Sequence, residues 1–266
     1  MTEVAVLRPD RLGLGEAIRW ADGAVMLVDI LAGRLLTAPE DPTAPLDEPA
    51  RLPVPLGAVA PVCESPGTWI AAEGTGICVI APDGSTRWLA RPGSGAPVPM
   101  RMNDAGDGAG SLYRVDRDGT PVRVLDGLTV PNGPAFTADG TTMDLADSAR
   151  GIIRRHPVDP VTAGLGAAET FVVLDDGHPD GAGRVAVWGT GPVRRYPPGG
   201  RVDRVLRLPA RQPAGVCPES DTLHITTARV GLTAPPAEDG AVFTAGVDVP
   251  GTSTPAASCR RGEISE

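Results

Sequence analysis

The sequence predicts an all-β fold, a six-bladed β-propeller with its third and fifth blades shortened, and three observations carry that reading. Turn signals never pause: 34 Gly and 29 Pro are spread along 266 residues, yet the apolar content of 41% is too high for a solvated coil. No long stretch free of Gly and Pro holds a 3.6-residue apolar period, which excludes a helical fold. The chain also repeats itself. Aligned on an aromatic residue and an Asp-Gly turn, Gly15-Glu16-Ala17-Ile18-Arg19-Trp20-Ala21-Asp22-Gly23 matches the segment from Pro131 to Gly140, with Glu16 at the place of Asn132 and Trp20 at that of Phe136.

Met1 to Leu14 reads as a lead-in strand region, and Glu16 to Leu36 gives the first repeat, with Val25-Met26-Leu27-Val28-Asp29 as its clearest strand. Thr37 to Leu52, rich in Pro and Asp, reads as an outer turn or weak edge strand. A second unit from Gly57 carries four strand candidates and turns at Asp83-Gly84. The third, from Asn103, has a glycine-rich connection over Ala105 to Gly110 before Ser111 to Val115 and Val122 to Leu125. The fourth starts at Asn132 and ends in Phe171-Val172-Val173-Leu174. The fifth runs from Asp180 through Val185 to Trp188 and on to Leu208, and the sixth runs from Pro213 to Phe243. Most units are of the order of 40 to 50 residues, the size of a four-stranded blade. The third and fifth fall short by about one hairpin, roughly 10 to 15 residues. One domain over 1–259 with a frayed tail over 260–266 is expected.

Composition narrows the function. The net charge is −9 and every basic residue is an Arg, so no basic stripe awaits a phosphate backbone and Schiff-base chemistry has no lysine. No stretch reaches the roughly 18 apolar residues of a membrane span, and Met1 to Gly15 lacks the form of a signal peptide. A soluble, cytoplasmic protein with no nucleic-acid or membrane partner is expected. Cys63, Cys78, Cys217 and Cys259 lie far apart, which fits reduced, mostly buried thiols. His156, His178 and His224 have no metal spacing and are expected to be hydrogen-bonded or exposed.

In a propeller the innermost strands line the central channel, so polar residues early in different blades converge on one end of it. Glu16, Asn103, Asn132 and Asp180 sit at such positions. Their carboxylates and amides are hard oxygen donors suited to Ca²⁺, Mg²⁺ or Mn²⁺. Asp29 and Asp147 hold matching places in their repeats and read as blade-structure residues. Trp20, Trp69 and Trp188 read as packing between blades.

Several segments, in order, resemble the gluconolactonase, regucalcin (senescence marker protein) and luciferin-regenerating enzyme family. They are Leu14-Gly15-Glu16, Val28-Asp29-Ile30, Gly33-Arg34-Leu35, Arg101-Met102-Asn103-Asp104, Pro131-Asn132-Gly133, Ala146-Asp147-Ser148, Pro179-Asp180-Gly181, Trp188-Gly189 and Thr226-Thr227-Ala228-Arg229. The resemblance implies one divalent metal ion held by Glu16, Asn132 and Asp180, Ca²⁺ foremost, with Zn²⁺, Mg²⁺ and Mn²⁺ as alternatives. It implies that Arg101 and Asn103 contact substrate, that Asp180 also transfers protons, and that a small-molecule sugar lactone is hydrolysed. No Gly-x-Ser-x-Gly elbow is present, in keeping with a mechanism that needs no covalent nucleophile. After Asn103-Asp104 the chain lacks a strand pair that the family has, and after Asp180-Gly181 it shortens one. The alternative is therefore a catalytically impaired propeller that binds a metal or small ligand, or serves as an interaction scaffold.

Overall fold

The computed structural model describes residues 4–248 apart from 22, 40, 42–43, 64, 93–101, 103–109, 117–119, 138, 176, 181–186 and 189–190. The expected tail at 260–266 and Cys259 lie outside the described residues. Strand β1 is Val4–Arg8. The first sheet runs β2 (Gly15–Ala21), β3 (Ala24–Asp29), β4 (Arg34–Thr37) and β5 (Asp47–Arg51). The second runs β6 (Leu56–Pro61), β7 (Trp69–Glu73), β8 (Gly76–Ile80) and β9 (Thr86–Ala90). A two-stranded sheet follows, β10 (Gly110–Val115) with β11 (Pro121–Leu128), then a four-stranded one, β12 (Pro131–Phe136), β13 (Thr142–Asp147), β14 (Ile152–Pro157) and β15 (Glu169–Val173). Two more two-stranded sheets are β16 (His178–Pro179) with β17 (Val187–Trp188), and β18 (Val193–Arg195) with β19 (Arg204–Leu206). The last sheet is β20 (Pro213–Glu219), β21 (Thr222–Thr227) and β22 (Val242–Gly246), completed by β1 at its outer edge.

The fold is an all-β propeller of up-and-down antiparallel sheets. The described residues form four full blades rather than six: four sheets have four strands, and three have two. The two-stranded sheets fall between 103 and 132 and between 178 and 213, at the two units that are short in sequence.

Sheets pack face against face, so an inner strand is buried on both sides and its sequence loses the usual alternation of apolar and polar residues. In β3, Met26 and Val28 face a cluster shared with Leu56, Val59, Trp69 and Ala71 of the second sheet. Val25 and Leu27 face Cys217 and Val242 of the last sheet. Further around, Leu112, Leu125 and Leu128 pack on Met143 and Leu145, Tyr196 packs on Ile153 and Val172, and Val193 on Leu223, Ile225 and Phe243. The β3–β4 turn admits only glycine: Gly33 has φ +64°, and a Cβ there would lie 2.3 Å from the Leu52 carbonyl oxygen. β5, with Pro49 inside it, is an edge strand, where a missing N–H breaks no ladder.

The ring is held shut by more than strand pairing. Arg8, 1% exposed, ends β1 and sends its guanidinium into the 39–44 loop of the first sheet. There it donates to the carbonyl oxygens of Pro39, Asp41 (2.7 Å) and Ala44. Trp20 of β2 and His224 of β21 stack across the same seam at a centroid distance of 6.0 Å.

His156 and His224 depart from expectation. Both are buried, neither ring nitrogen of His156 has a partner among the described residues, and Nδ1 of His224 has none. Burial pushes the His224 imidazole below its ordinary value, partly opposed by the Glu219 carboxylate. The folded value thus lies below the unfolded one of about 6.5. Its contribution to stability is complete above pH 6.5 and is lost as pH falls through the folded value, because only the unfolded chain takes up the proton in between. Melting temperature should therefore drop between pH 7 and pH 5. His224→Phe, which keeps the stack on Trp20, should drop less; equal slopes in the two proteins would clear His224 of the effect.

Of the cysteines, Cys78 and Cys217 are buried, Cys63 is exposed, and all three are free thiols. Burial, followed by a hydrogen bond to Glu73, pushes the Cys78 thiol up, so it is inert at neutral pH.

Candidate active site

Three inner strands begin alike. Gly15 pairs with Asp29 and Glu16 with Val28; Pro131 pairs with Asp147 and Asn132 with Ala146; Pro213 pairs with Thr227. In each strand two residues then face one across the ladder before pairing resumes at Arg19, Ala135 and Val216. These are β-bulges, which re-aim the side chains beside them. The bulge residues Ala17 and Gly133 have φ of +47° and +39°, and the Ala17 N–H donates to Glu16 Oε2 at 3.1 Å. Glu16 and Asn132 therefore share one register position, each the last paired residue before its bulge.

Buried carboxylates fix where these strands start. Asp29 accepts from the N–H groups of Gly13 (2.9 Å) and Leu14 (3.1 Å), and Asp147 from those of Thr129 (3.1 Å) and Val130 (3.0 Å). At the last sheet Asp239 does the same for Arg211, taking its backbone N–H at 2.7 Å and its Nε–H at 2.9 Å. Charge-assisted bonds to otherwise orphaned donors explain why Asp29 and Asp147 recur in step.

Asp180, 2% exposed, follows directly on β16, whose register pairs Pro179 with Val187. The hydroxyl of Ser148 links this corner to Asn132. Asn132 Nδ2 donates to Ser148 Oγ (3.3 Å), Ser148 Oγ–H donates to Pro179 O (2.5 Å), and His178 Nδ1 lies 2.9 Å from Ser148 O. A carbonyl can only accept, so His178 carries its proton on Nδ1. Asn132 and the Pro179-Asp180 corner are thereby brought together. Glu16, 8% exposed, stands beside the last sheet, where a Cβ on Gly215 would lie 3.4 Å from its Oε2. Gly215 leaves that carboxylate room.

Arg101 and Asn103 lie outside the described residues. Met102 donates its N–H to Gly74 O, in the β7–β8 turn, at 2.7 Å. Ser148 and Gly215 carried no role in the sequence reading, although Ser148 stood in the Ala146-Asp147-Ser148 segment.

The donor set suits a hard cation. Among the described residues no three of His, Cys, Asp and Glu gather as a metal site. Glu16 and Asp180 supply two buried carboxylates, and the amide of Asn132, its nitrogen committed to Ser148, has Oδ1 left to offer.

The model of the SMP-30/gluconolactonase/LRE-like region matches residues 99–229, the stretch that holds Arg101, Asn103, Asn132 and Asp180. The chain carries an SMP-30/gluconolactonase/LRE-like region. Among its relatives is pentonolactonase XacC of Haloferax volcanii, 28% identical over 245 residues that cover 82% of this chain and 82% of that protein. The fold is shared with the calcium-binding protein regucalcin from Agrobacterium tumefaciens, with a TM-score of 0.83 and 24% identity over 96% of this chain and 97% of that one. It is shared with a luciferin-regenerating enzyme too, with a TM-score of 0.82 and 14% identity over 98% of this chain and 100% of that one. The SMP-30/gluconolactonase/LRE-like match thus begins before the third unit and ends just after β21, at Arg229.

Proposed function

We propose that this chain is a divalent-cation-dependent lactonase that opens sugar lactones. The observation that carries the reading is the corner where Asn132, Ser148 and Pro179 join by hydrogen bonds next to the buried Asp180, with Glu16 at the register position of Asn132. The lactonase relative supports the substrate class. Glu16, Asn132 and Asp180 would hold the cation, Ca²⁺ foremost for an all-oxygen set. When bound, it supplies a Lewis acid for the lactone carbonyl.

The chain's own residues do the rest. Asp180 accepts a proton from the water whose oxygen bonds to the carbonyl carbon, and returns a proton to the ring oxygen as the C–O bond breaks. Arg101 and Asn103 orient the sugar hydroxyls. We read the three two-stranded sheets as parts of a third and a fifth blade, which makes six in one domain, and the free thiols as those of a cytoplasmic protein.

Turnover of a panel of aldonolactones should be seen with Ca²⁺-loaded protein, vanish with a chelator and return on adding the cation. Stoichiometric cation binding without hydrolysis anywhere in the panel would instead establish the binding-module alternative. No cation binding at all would leave the scaffold.

A further inference from the structure

We propose that Ser148 is a positioning residue that sets the orientation of the Asn132 amide, so that Oδ1 rather than Nδ2 faces the cation. The proposal rests on the cation reading above. Ser148 opens the 3₁₀ turn Ser148–Arg150 after β13, and it is 2% exposed.

A hydroxyl has one proton and two lone pairs. The proton of Ser148 goes to Pro179 O, which can only accept, so Oγ can offer Asn132 nothing but a lone pair. Asn132 must then present Nδ2, and its two amide ends are told apart. The polarity runs in one direction, from a backbone carbonyl that cannot donate, through the hydroxyl, to the amide.

The repeats supply an internal control. Ser148 N donates to Val130 O, Ile30 N to Leu14 O and Ala228 N to Gln212 O, each at 2.9 Å. Ile30 and Ala228, 1% and 0% exposed, therefore hold the same place in the first and last sheets without a hydroxyl. The blade does not need one there. A buried hydroxyl is costly unless bonded, and in this blade its partners are the Asn132 amide and the carbonyl of Pro179, the residue before Asp180.

The test is calcium titration calorimetry on four proteins: wild type, Ser148→Ala, Asn132→Asp and the double variant. Ser148→Ala should weaken Ca²⁺ binding by about 10- to 100-fold, the range for losing a residue that orients a ligand. A carboxylate at 132 has two equivalent oxygens and needs no orientation. In the Asn132→Asp background the same substitution should therefore change affinity by less than about twofold. Cation-free melting temperatures should stay within a few degrees, as alanine already fills this place at Ala228; Ser148→Cys, of similar shape, is read the same way should Ser148→Ala not fold. Equal losses in both backgrounds, or wild-type affinity in Ser148→Ala, overturn the proposal while leaving the cation site standing. A wild type that binds none of Ca²⁺, Mg²⁺, Mn²⁺ and Zn²⁺ overturns the cation reading and the proposal with it.

Discussion

Asp180→Asn is expected to lower lactone turnover by about 10²- to 10⁴-fold, the usual contribution of a positioned general base. Cation affinity should fall far less. Asparagine still offers a carbonyl oxygen to a hard cation, but its amide accepts no proton from water at neutral pH. Asp180 is 2% exposed and follows Pro179, whose carbonyl is tied to Ser148, so the substitution keeps shape and strand anchoring while changing charge. Measuring kcat and calcium affinity on the same preparation separates the two roles. Parallel losses in both would reduce Asp180 to a ligand, and an unchanged kcat would remove it from the chemistry.

Arg8→Leu is expected to destabilise the protein by about 2–4 kcal/mol, the scale for losing hydrogen bonds made by a charged donor. In a chain of this size that is about 10 °C in melting temperature. The guanidinium is almost wholly buried and donates to three carbonyl oxygens of the 39–44 loop. Leucine leaves the carbonyls of the half-buried Pro39 and Ala44, and that of Asp41, without the Arg8 donor. Since β1 belongs to the last sheet and the loop to the first, the loss should act on the closure of the ring. Amide exchange in β1 and β22 should rise more than in β12 to β14. A uniform rise would mean that Arg8 supports the whole fold rather than its seam.

Much of the candidate site could be read in the sequence because the repeats bring their own ruler. Glu16 and Asn132 fell in step when aligned on Trp20, Phe136 and the Asp-Gly turns, and the ladders give both the same register next to a bulge. Asp29 and Asp147 were legible as structural for the same reason: each accepts N–H groups within 18 residues of itself. Ser148 was not. Its partners lie 16 and 31 residues away, one of them is a carbonyl, and nothing in a serine's identity or spacing says which carbonyl it will meet.

By itself the sequence determined the strand phase, the all-β class, the places where two-stranded sheets stand instead of four-stranded ones, and the polar positions that open the inner strands. Each follows from local rules: side-chain alternation, turn chemistry and the period of the repeat. The tertiary structure alone decided that Val4–Arg8 closes the last sheet, that Arg8 is buried against a loop more than 30 residues onward, and that His224 is dry against Trp20. A periodic pattern reports which face of a strand is apolar, but it does not name the partner. That choice is made when the ring closes and brings the first and last strands, β1 and β22, to one seam.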